Sequence, residues 1–288
     1  MKRILSVIFS FLFAMGAVST VLADSRDVVS LGADLTESQK QGMLDLFGVD
    51  ETQAETIEVT NEEERQYLEG LASEEKIGNK AISSAYVRIL EEGRGIEVET
   101  HNISWVTKEM YANAMVTAGV ENARVVVAAP FKVSGTAALT GIMKAFEKAT
   151  GEKLTKEAKD AASEELVTSG ELGEEIGKDK AAALIKKIKE RIIGERITDK
   201  EDIRRLIIEI AADLDINLSQ ENLNKLADLM EKIGKLDLDV NKLTDQLEKI
   251  SGHLDNIRRV VNENKGLLQR IIEAIQSFFR WLASLIRG

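Results

Sequence analysis

The chain has 288 residues, with 49 Asp and Glu against 38 Lys and Arg, a formal charge of −11, and no cysteine. The negative charge weighs against nucleic acid as a partner. The missing thiols exclude disulfides, thiol catalysis and thiolate metal sites. Two histidines, His101 and His253, cannot build a multi-histidine metal centre, so neither a metal nor a cofactor is expected.

Residues 1–23 read as a secretory leader. Lys2 and Arg3 form a positive start, Ile4 to Phe13 an apolar stretch, and Val21-Leu22-Ala23 a cleavage pattern. The mature chain then begins at Asp24 with 265 residues (288 minus 23) and a charge of −13, since only Lys2 and Arg3 are charged in the leader. Ser6, Ser10, Gly16, Ser19 and Thr20 interrupt the apolar stretch and argue against a retained membrane span. No cysteine follows for a lipid anchor. The protein is therefore expected to be secreted, with the cell envelope or a membrane surface as its partner.

An acidic segment from 24 to about 55 contains a short helix after Thr36, stopped by Gly48. Residues 57–60 read as a strand, and Thr60-Asn61-Glu62-Glu63 as a capping box opening a helix to about Leu71. The charges of Glu62, Glu63 and Glu64 read as solvated helix-start residues. Residues 81–90 and 95–103 carry strand patterns around a turn at 91–95 and predict a hairpin. Thr107 starts a second helix closed by Gly119. The apolar run 123–129, ending at Pro130, suits a central strand buried on both faces, with Val125, Val126 and Val127 all inside.

The order strand, helix, strand, strand, helix, strand predicts an α+β fold: a small antiparallel sheet with helices in the ferredoxin-like split βαβ order. From Gly135 onward the pattern is mainly helical. Helices are expected at 137–150, 155–167 and 179–193. A capping box at 198–201 opens another running to about Leu214, and Ser219 caps the next. A last long amphipathic stretch runs over 240–261. The organisation reads as a leader (1–23), an α+β domain (24–150), a helical region (151–265) and an amphipathic C-terminal helix (266–288).

Three long motifs, EVTNEEERQYLEG, IGNKAISSAYVRILEEGRGIEVETHNISWVTKEMYANAMVTAG and VVVAAPFKVSGTAALTGIMKAFEKATG, occur in this order. They resemble the YpuA-like family, predicted secreted proteins of Gram-positive spore-forming bacteria whose function is unknown. The resemblance covers about 24–250. It implies export, and it supplies no catalytic residues to carry over.

The best candidate site is the loop from Lys132 to Thr136. Lys132, Ser134, Gly135 and Thr136 lead from a buried strand into a helix start, where free N–H groups attract an anion or other polar ligand. It is not a Walker A loop. A serine hydrolase at this loop is the alternative. It would need His101 and an acid beside Ser134, and there is no GxSxG elbow. The sequence therefore leans away from an enzyme and names no catalytic residue. Trp105 and Tyr111 read as core residues. Asp237, Asp239, Asn241, Asp245 and Glu248 have calcium-loop spacing, but Lys242 stands where the loop needs glycine, so a polar helix face is the better reading.

The tail, GLLQRIIEAIQSFFRWLASLIRG, carries +2 from three Arg and one Glu. Leu268, Ile272, Ile275, Phe278, Phe279, Trp281 and Leu282 supply large apolar side chains for contact with a membrane interface or a docking partner. The oligomeric state stays open.

Overall fold

The computed structural model describes residues 27–250 except 51, 53 and 238. The proposed leader, the C-terminal candidate residues Leu268 to Leu282 and His253 lie outside the described residues.

The first described element is a strand that the sequence pattern did not predict. β1 (Asp27–Gly32) carries Val28, Val29 and Leu31 within the acidic N-terminal segment, and all three are buried. α1 (Glu37–Phe47) follows with a capping box at Thr36 and Gln39 and a left-handed Gly48 at its end. β2 (Ala54–Val59) lies parallel to β1. α2 (Asn61–Leu68) starts at the capping box expected of it: Thr60 Oγ1 accepts from the Glu63 amide, and Glu63 Oε2 accepts from the Thr60 amide. The short α3 (Glu74–Ile77) leads into β3 (Ser84–Ile89). Then come β4 (Ile96–Ile103), α4 (Lys108–Ala118) and β5 (Ala123–Val133).

The α+β class holds, but the sheet is mixed and its order is β2-β1-β3-β5-β4. β3 is antiparallel to β1 and β5, whereas β4 and β5 are parallel. The expected hairpin does not form. β5 inserts between β3 and β4, so each pairs with β5 and neither with the other. The ferredoxin-like order therefore fails. The reason lies in burial: β5 buries both of its faces, and a strand of that kind gains most when flanked on both sides. Val125 and Val127 face the large core, while Val126 and Ala128 face a smaller cluster under α1 with Met43 and Leu44.

β5 also runs past Pro130, where the sequence suggested a stop. The β4–β5 ladder breaks between His101 and Ile103 and resumes at Ile103–Val133. Asn102 turns to φ 59 at this bulge, and its side-chain amide donates to the Ala129 carbonyl at 2.8 Å. A proline is tolerated where a bulge already interrupts the ladder.

α5 (Thr136–Thr150) crosses β1 and β3. A Cβ on Gly141 would collide with the Ser30 side chain, so glycine allows this close crossing. α6 (Lys156–Ile176) packs on α4, and α7 (Lys178–Gly194), α8 (Lys200–Asp213) and α9 (Gln220–Gly234) extend the helical layer. The cap of α8 is Asp199, which accepts from the amides of Glu201 and Asp202, one position later than the expected Thr198. Residues 240–250 are helical. One apolar cluster runs from Val28 to Ile250, so the helical layer and the sheet share a core. No helix among the described residues is long and apolar enough to cross a membrane.

The helical layer encloses a buried ion pair. Lys189 and Glu165 are both fully buried. The Lys189 ammonium donates to Glu165 Oε1 at 2.8 Å, Thr117 Oγ1 at 2.9 Å and the Asn113 carbonyl at 2.6 Å. Thr117 in turn donates to Glu165 Oε2. All three ammonium protons are used, as a buried charge requires. Burial lowers the Lys189 pKa, and the Glu165 carboxylate opposes that shift.

Candidate functional site

The loop singled out in the sequence opens onto a cleft of about 490 Å³ between the end of β5, the start of α5 and the α3 region. Ser134, Gly135 and Thr136 line it, and Lys132 does not. Phe131 and Val133 face the cleft instead. Residue 132 falls on the other face because side chains alternate along the strand, which here extends to Val133.

Ser134 does not cap the helix. The N-cap of α5 is Gly135, at φ 100, and no side chain caps that end. The Ser134 hydroxyl donates to the Lys76 carbonyl at 2.7 Å, and the Thr136 hydroxyl to the same oxygen at 3.1 Å. Two side chains from the helix start thus pin α3 in place. Glycine at 135 is required twice over. Its φ lies in the left-handed region, and a Cβ would overlap the Tyr111 hydroxyl and Ile103 Cγ2. Tyr111, fully buried, donates its hydroxyl to the Gly135 carbonyl. The effect is a helix start held by these contacts, with Gly135, Thr136 and Ala137 lining the cleft.

The residue that sequence reasoning missed is Glu64. Within α2 it is fully buried, not solvated, and it lines the same cleft. Its Oε2 accepts from the Asn61 side-chain amide at 3.2 Å, whereas its Oε1 has no hydrogen-bond partner among the described residues. Burial pushes its pKa up to about 7, against the lowering effects of Thr136, Asn61 and Arg65. The signal was in the spacing. Glu64 stands four residues before buried Leu68, on the same side of α2.

Of the four other charged residues at the cleft, Lys76 and Asp34 are committed to partners. Lys76 pairs with Glu174, and its ammonium stands 5.2 Å from the centre of the Trp105 ring. Asp34 accepts the Ala81 amide at 2.8 Å. Glu75 and Lys80, of opposite sign, are both exposed.

The pieces of a hydrolase do not converge. His101 is exposed on β4, opposite Ala128 in the ladder, and does not line the cleft. Trp105 and Tyr111 are buried. In the segment with calcium-loop spacing, Asp239 Oδ1 accepts from the amides of Asn241 and Lys242 at the start of helical residues 240–250, and Asp245 pairs with Lys249. Among the described residues, no group of three or more His, Asp or Glu side chains is placed to hold a metal.

This α+β architecture with its polar cleft falls within a recognised family. Residues 31–250 match the family described as "Protein of unknown function (DUF1002)", and the chain belongs to that family. The chain is also 43% identical over 267 residues to "Uncharacterized protein YpuA" from Bacillus subtilis (strain 168), covering 90% of this chain and 89% of that one. No solved structure matches.

Proposed function

We propose that this protein is exported and acts outside the cytoplasm as a binding protein, not as an enzyme, with the Ser134–Thr136 cleft as its ligand site. One observation carries the non-catalytic reading: the Ser134 hydroxyl is held by the Lys76 carbonyl and the Thr136 hydroxyl, and no histidine among the described residues lines the cleft to act as its base. The buried, unpartnered Glu64 oxygen and the uncapped α5 start support the ligand site. The basic amphipathic tail supports attachment to a membrane surface or an envelope partner.

Export is tested by N-terminal sequencing of the protein recovered from culture supernatant or envelope, where Asp24 is expected first. Attachment is tested by co-sedimentation of the full chain with anionic vesicles. Phe279→Glu with Leu282→Glu should abolish it, because each buried large side chain contributes about 1.5–3 kcal/mol. Labelling of Ser134 by a fluorophosphonate probe would overturn the non-catalytic reading in favour of the secreted hydrolase.

A further inference from the structure

We propose that the cleft at the start of α5 binds an uncharged, hydroxyl-bearing ligand of saccharide type, with Phe131 as its apolar wall and the unpartnered Glu64 Oε1 as its deepest polar contact. The inference rests on the reading of this cleft as a ligand site and names what the site takes.

Hydrogen-bond demand inside the cleft runs both ways. The uncapped α5 start offers N–H donors, which need an acceptor. The Ser134 and Thr136 hydroxyls share the Lys76 carbonyl and a 3.2 Å contact with each other, so their two protons are committed and their oxygens keep lone pairs that can accept. Glu64 Oε1 has no hydrogen-bond partner among the described residues. A carboxylate there accepts, and a carboxylic acid also donates. A hydroxyl is the simple ligand group that donates and accepts at one atom, so it satisfies every one of these positions.

Charge argues the same way. A multiply charged anion at the helix start would face the acids Asp34 and Glu75, with the Lys76 ammonium already held by Glu174 and the Trp105 ring and Lys80 left as the free lysine among the described lining residues. A cation would gain those acids but meet the positive end of the α5 dipole. An uncharged ligand meets neither penalty. Phe131 supplies what remains. It is half exposed beside the cleft, in a chain where aromatic residues make up only 5%. An exposed ring flanking convergent polar groups suits a ligand with one apolar face and a hydroxylated edge. The volume of about 490 Å³ lies within the range of small-ligand sites.

The test is calorimetric titration of the full chain with triacetylchitotriose and maltotriose, alongside inorganic phosphate, acetate and putrescine. Saturable binding of a saccharide is expected. Phe131→Ala should weaken it about tenfold. Glu64→Leu should also weaken it, and melting curves establish that both variants are folded. If Glu64→Leu does not fold, Phe131→Ala, at an exposed position, still decides. Binding of phosphate, acetate or putrescine with no saccharide binding overturns the ligand class but keeps the cleft as a site. Saccharide binding that survives Phe131→Ala unchanged places the ligand elsewhere and overturns the inference. Binding of none of the five overturns both the ligand class and the cleft as a ligand site.

Discussion

Glu64 makes the stability of this protein depend on pH in a direction opposite to that of most carboxylates. Its folded pKa of about 7 lies above the ordinary 4.5, because burial disfavours the ion. The folded state therefore holds a proton that the unfolded chain has released. Stability from this group is intact below about pH 4.5 and is lost as pH rises through 7. The gap corresponds to on the order of 3 kcal/mol in full, and about 2–3 kcal/mol between pH 5 and pH 8. At about 2–4 °C per kcal/mol, that is roughly 5–10 °C in melting temperature. Glu64→Gln keeps the shape and removes the titration. Urea unfolding of both proteins at pH 5 and pH 8 isolates the effect. Asp27 and Glu63, whose ion pairs with Arg88 and Lys144 lower their pKa values, are common to both proteins and cancel in the difference. The variant should gain about 2–3 kcal/mol on the wild type as pH rises over that range. A stability difference that stays constant from pH 5 to pH 8 would refute the assignment of a buried neutral acid.

Removing one member of the buried pair, by Lys189→Met or Glu165→Gln, should cost about 3–5 kcal/mol, because the other group is left buried and uncompensated. The double variant should cost less than the sum of the two, and additive unfolding free energies would contradict the coupling. Gly135→Ala should cost at least about 1–3 kcal/mol from backbone strain alone, read as a lower urea midpoint. An unchanged midpoint would show that the Tyr111–Ile103 contact yields freely.

Much of the local structure was legible in the sequence because local chemistry sets it. Thr60 and Glu63 close a capping box wherever the chain places them, and Gly119 and Gly151 take the left-handed conformations that end α4 and α5. The apolar run at 123–129 could be read as buried on both sides because no polar residue alternates within its centre. The Ser134–Thr136 helix start was likewise visible as a candidate site.

What the sequence could not decide was which strands are neighbours. Residues 81–90 and 95–103 look like a hairpin because loop closure favours near pairs, yet β5 lies between them. Burial of β5 between two partners is a property of the whole sheet and leaves no mark on either flanking strand. The same holds for Glu64. Its helix position was readable, but its burial depends on α5 and α3 arriving from 136 and 74. The proposed leader and the proposed amphipathic tail rest on composition and periodicity alone. By contrast, the cleft exists only because residues far apart in sequence are brought together, and only tertiary structure turns a helix-start glutamate into a buried acid lining that cleft.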